Sequence, residues 1–88
     1  MSEAVEIRGT EVTIDPAAMR TWKAFNLFRA IEESESVFEK SDATFKLCEM
    51  VCGLTEAEIV EKCGGEDADM DDVLGFALEI VKAATPKN

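Results

Sequence analysis

Three cysteines, a run of acids and a complete lack of histidine set the chemistry open to this chain of 88 residues. Cys48 and Cys52 lie four apart, so on a helix they share one face and both sulfurs could touch one metal ion. Structural zinc takes four ligands, and without histidine only Cys63 and a carboxylate remain to complete the set. Buried free cysteine used as a small hydrophobe is the commoner arrangement. "DADMDD", from Asp67, opens like an EF-hand loop, but its sixth position is Asp72 where glycine is needed, and its twelfth is Leu78 where a bidentate glutamate is needed. The run fits the loop and first turn of a helix, where acids complement the dipole. No nucleophile stands with a base, no glycine-rich phosphate loop comes after a strand, and nothing selects two carboxylates as an acid–base pair. The expectation is a protein that is not an enzyme, binds no cofactor or metal, and does not respond to calcium.

Composition narrows the partners. Nineteen acidic residues against nine basic give a net charge of −10. Such a field repels nucleic acid and anionic membranes and suits basic or hydrophobic protein partners. An odd number of cysteines and a charge-broken start, "MSEAVEIRG", imply free thiols in a reducing interior and no signal peptide. No apolar run reaches the length of a bilayer span. A hydrophobic fraction of 47% is that of a folded protein, and the length is that of one domain with a modest core.

The elements that must carry these residues read as mainly α: an N-terminal two-stranded β-hairpin over 5–14, a small bundle of about four helices over 16–84, and a tail over 85–88, all in one domain, 1–88. Val5, Ile7, Val12 and Ile14 alternate with polar residues. A two-residue turn at Gly9-Thr10 would set Ile7 opposite Val12 and Val5 opposite Ile14, with all four on one face. A lone hairpin is marginal in water, so this face is expected to lie on the next helix in the chain.

That helix is expected to start at Asp15-Pro16, a capping carboxylate with proline at the first helical position, and to end near Glu33 or Ser34. Val37 and Phe38 read as anchors of a turn. A second helix is expected to be capped by Ser41 or Asp42 and closed at Gly53. Thr55 and Glu58 form a capping box for a short third helix that stops at Gly64-Gly65. The last helix is expected to bury Val73, Phe76, Ala77, Ile80 and Val81.

Met19, Trp22, Phe25, Phe28 and Ile31 recur every three residues along the first helix, with Ala24 and Leu27 beside them. Most should face inward, and Trp22, between hairpin and helices, is expected to be buried, so that its truncation costs about 3–5 kcal/mol. A core of this size cannot hold all of them. The surplus on Met19, Trp22, Phe25, Phe28 and Ile31 is the candidate partner-binding surface.

Taken in order, these signals resemble the small tail assembly chaperones of siphophages and their prophages. The carrying patterns are Trp22, Phe25, Leu27 and Phe28 ("W-x-x-F-x-L-F"), Gly53 to Glu58-Ile59, and Asp71, Asp72, Val73, Leu74 and Phe76 in an acidic final helix. The resemblance runs from about Glu11 to Ala84 and rests on packing patterns, not on chemical signatures. It implies a protein of the bacterial host cytoplasm, absent from the mature virion. There it would coat the phage tape measure protein, keep it soluble and help bring tail tube protein around it; self-association stays open. Many genes of that family also make a longer second product by a −1 frameshift; here a CCA proline codon followed by AAA AAC for Lys87-Asn88 would supply a slippery heptamer. A small acidic inhibitor or regulator, binding a basic host-protein surface with strong salt dependence, is the alternative. A carrier of the acyl-carrier type would need a "D-S-L" tripeptide that this chain lacks.

Overall fold

The chain first reverses at Arg8 and Gly9. In the computed structural model, which describes residues 2–85, β1 (Glu3–Ile7) and β2 (Thr10–Ile14) pair antiparallel. Both turn residues have positive φ, 50° at Arg8 and 85° at Gly9, as the type I′ hairpin turn demands. Val5 therefore faces Val12, and Ile7 faces Thr10. The expected pairing is corrected by two residues, because the turn sits one position earlier than Gly9-Thr10. A slip of two keeps every side chain on its own face. Val5, Ile7, Val12 and Ile14 still share one side, and the last three are buried.

The expected helix from Pro16 is broken into two pieces. Asp15 does cap a start, accepting from the Ala17 amide at 3.1 Å, but the segment it opens is a 3-10 turn over Pro16–Arg20. Thr21 then adopts extended backbone and caps α1 (Trp22–Glu33). Its hydroxyl accepts from the Ala24 amide at 3.1 Å and donates to the Ala18 carbonyl at 3.1 Å, so one side chain closes one segment and opens the next. Thr21→Ala removes both bonds and is expected to cost about 1 kcal/mol in urea denaturation, the typical loss for an N-cap threonine. A change below about 0.3 kcal/mol would show that the break is held by other contacts.

α2 (Val37–Cys52) starts earlier than expected. Ser36 is its cap, accepting from the Glu39 amide at 3.4 Å. Ser41, one of the expected caps, lies inside the helix and bonds the Val37 carbonyl four residues back. Val37 and Phe38 thus form the first turn of a helix and face solvent, 60% and 86% exposed, instead of anchoring a loop. Gly53 ends α2 in the left-handed conformation, φ 76°, where a Cβ would be strained. The capping box of Thr55 and Glu58 opens α3 (Glu56–Lys62), with both reciprocal bonds formed. Hydrogen bonding from the Thr55 amide is the main cause holding the Glu58 carboxyl below its ordinary pKa. Asp69 caps α4 (Met70–Ala84). Thr85 is its C-cap, while residues 86–88, with the Lys87-Asn88 pair, lie outside the described residues.

α2 is the central element, with α1 and α4 both packed on it. One contiguous core joins Ile7, Val12 and Ile14 of the hairpin to Leu47, Cys48 and Val51 of α2, Ile59 of α3, and Phe76, Ala77, Ile80 and Val81 of α4. The hairpin lies on α4 and α2, not on α1 as its proximity in sequence suggests. Burial of Ile7, Val12 and Ile14 in the common core holds it there, and two polar links fasten it. The Asp15 amide donates to the Val51 carbonyl at 2.7 Å, tying the end of β2 to the end of α2. The Arg8 guanidinium pairs with Glu79 and donates to the Asp72 carbonyl at 3.3 Å, tying the hairpin tip to α4. It lies across Gly75, where any Cβ would meet it. Among the described residues no helix is long and apolar enough to cross a membrane.

Candidate protein-binding surface

The five side chains singled out on the first helix do not form one surface. Residues three apart advance about 300° around an α-helix, so each step falls about 60° short of a full turn. From Trp22 to Ile31 the stripe winds through about half the circumference. Ala24 and Leu27 fix which side faces α2: Ala24 is fully buried and Leu27 packs on the core. Phe28 stands at the edge of that side and Ile31 in line with Ala24 and Leu27 near the end of the helix, and both are half-buried. Trp22 falls on the opposite side, 71% exposed, and Phe25 between them, 47% exposed. Met19 belongs to the 3-10 turn and packs, half-buried, against the core. The expected burial of Trp22 is therefore corrected. The helical drift turns it outward, and the hairpin expected to cover it rests on other helices.

The outward part is a small aromatic cluster. Trp22 and Phe25 stack with ring centroids 5.1 Å apart and planes at 29°. The Arg29 guanidinium sits 5.4 Å from the Phe25 ring centre and is held by a 2.8 Å bond to Asn26. At exposed sites such a cation–π contact is worth about 0.5–1 kcal/mol, and it leaves the cluster open to solvent.

The inward part borders an open apolar groove between α1 and α4. Two adjoining hollows of about 280 and 330 Å³ share Ile31 and Leu78. Phe28 and Ile31 form the α1 wall. Leu74, Leu78 and Val81 form the α4 wall, and Val37, Ser41 and Thr44 of α2 the rest. Leu78 is 38% exposed. Sequence reasoning misses the α4 residues of the groove, because it gives that helix a single buried face. The signal is present nonetheless: Leu74 and Leu78 add a second apolar row, four apart, beside Val73, Phe76, Ala77, Ile80 and Val81, more than one contact can cover.

The cysteines are distributed by burial. Cys48 is fully buried, and its thiol donates to the Ala77 carbonyl at 3.2 Å. Desolvation, with a smaller contribution from Cys52, pushes it up to about 12. Cys52 is raised too, again by burial first. Cys63 faces the Asp72 carbonyl at 3.9 Å. Among the described residues no three Cys, Asp or Glu side chains converge as metal ligands. The acids of 66–72 serve as caps and a first turn, with Asp69 accepting from the Asp71 amide at 2.8 Å. What the arrangement offers chemically is uncovered apolar and aromatic surface on an acidic molecule. No family model matches the chain, and comparison with curated proteins and with solved structures gives no match.

Proposed function

We propose that this protein is a tail assembly chaperone, which binds a phage tape measure protein through apolar surface and assists assembly of the tail tube around it in the host cytoplasm. The observation that supports this reading is the uncovered surface of α1. Trp22 and Phe25 are exposed on one side, and Phe28 and Ile31 are left half-covered in a groove on the other. Apolar surface that a small core does not claim is the means by which a binding protein shields a sticky partner. The −10 charge keeps such a complex in solution. The motif order from Trp22 to Phe76 points to the same family, whose members are not enzymes and are absent from the mature virion.

Co-expression tests the proposal. With the tape measure protein encoded nearby, a soluble complex should form and survive moderate salt, because apolar contact is not screened. If the tape measure protein stays insoluble and no complex elutes, the chaperone reading falls. A complex with a basic host protein that dissolves in moderate salt would favour the acidic-inhibitor alternative.

A further inference from the structure

We infer that the groove between α1 and α4 takes a single amphipathic helix of the partner, about three turns long, with carboxylates beside its apolar stripe; the partner's identity rests on the chaperone reading. The length comes from α4. Leu74, Leu78, Val81 and Thr85 line the groove at i, i+4, i+7 and i+11, which at about 1.5 Å per residue spans about 16 Å.

The guest's secondary structure is dictated by hydrogen bonding. Both long walls are helices whose backbone groups are spent within the helix, so an extended strand would find no ladder partner and would leave its own amides unpaired against apolar side chains. Thr44, buried at the back, already donates its hydroxyl to the Lys40 carbonyl at 2.7 Å. A helix satisfies its backbone internally and needs only the apolar stripe to fit.

Charge selects among helices. The charged residues lining the groove are Lys40, Lys82 and Glu32, two bases to one acid in a chain with nine bases to nineteen acids. Among the described residues neither lysine is engaged in an ion pair. At physiological salt, charges farther than about 8 Å are largely screened, so a docked helix feels the charges lining the groove more than those that do not line it. Carboxylates flanking its stripe would meet Lys40 toward one end and Lys82 toward the other.

The whole-molecule field and the groove lining make opposite forecasts, which gives a clean experiment. Two stapled helical peptides share one leucine stripe, flanked by glutamates in one and lysines in the other. Each is titrated into the full chain at about 0.15 M salt and followed by amide NMR shifts. The glutamate peptide should bind about tenfold more tightly, with shifts centred on Ile31, Thr44, Leu74 and Leu78. The exposed double variant Lys40→Glu/Lys82→Glu should invert the preference while the chain keeps its native amide dispersion. Equal or tighter binding of the lysine peptide by the unaltered chain, or shifts centred on Trp22 and Phe25, overturns the inference. Leu78→Asp, at a half-exposed position, separates this failure from that of the chaperone reading. A tape measure complex indifferent to Leu78→Asp removes the groove and leaves the chaperone standing. A glutamate peptide seated in the groove with no tape measure complex does the reverse.

Discussion

Leu47→Ala is expected to cost about 2–5 kcal/mol in urea denaturation, while Trp22→Ala costs under about 1 kcal/mol. The smaller residue carries the larger effect because of where each stands. Leu47 is fully buried on α2, the helix on which both α1 and α4 pack. Its truncation removes apolar contacts on every side and leaves a cavity that three anchored helices cannot collapse. A domain of this size has a total stability of about 5–15 kcal/mol, so the loss lowers Tm by roughly 10 °C or more. Trp22 is 71% exposed, and its main contact is the stack with Phe25. Removing it restores water to surface that already meets water. Its fluorescence, from the chain's only tryptophan, should already lie near the water-exposed limit and move little on unfolding. A loss of about 3 kcal/mol or more at Trp22, or a large emission shift on unfolding, would mean that the ring is buried after all.

Cys48 is expected to be the slowest of the three thiols toward an alkylating reagent at pH 8, by about a thousandfold or more against the urea-unfolded chain. The thiolate is the reacting species, and burial raises Cys48 from its ordinary 9.0 to about 12. That shift alone removes about three decades of thiolate, before any steric shielding is counted. The same shift has a consequence for stability. The unfolded chain ionises this thiol near pH 9, whereas the folded chain keeps it protonated to about pH 12. Its contribution is therefore fully present below about pH 9 and is lost progressively as pH rises toward 12. Cys48→Ala should flatten this alkaline decline. Three thiols of equal reactivity in the native protein would contradict the burial on which both forecasts rest.

Local signals in the sequence carried the elements. Alternation of Val5, Ile7, Val12 and Ile14 determined a hairpin with one apolar face, and that face survived a two-residue error in register because strand side chains repeat every two. The Thr55–Glu58 capping box and the left-handed stop at Gly53 were equally legible, as was most of the buried row of α4, where Phe76, Ala77, Ile80 and Val81 are buried but Val73 is only half-buried. Each depends on bonds or periodicity within a few residues. Less legible was the start of α2: the sequence favours Ser41 or Asp42 as its cap, whereas Ser36 caps it more than a turn earlier, and Val37 and Phe38 of that added turn are exposed, so no buried period marks it. Pro16 could begin a helix, but Thr21 broke it within a few residues.

The candidate site was half-readable for the same reason. The excess of apolar residues on Met19, Trp22, Phe25, Phe28 and Ile31 is a property of the sequence, and so is the drift that splits a three-residue stripe around a helix. Which of them would be covered is not. That was decided when Ile7, Val12 and Ile14 were buried against α2 and α4, with the Arg8–Glu79 and Asp15–Val51 links as fastenings, which leaves Trp22 71% exposed. The groove has the same origin. Two helices seated on a third leave a trough whose lining comes from residues more than forty positions apart. Sequence determines what each helix presents within its own turns; only the closure of distant contacts, whose partners no local period encodes, decides which of those faces water is left to touch.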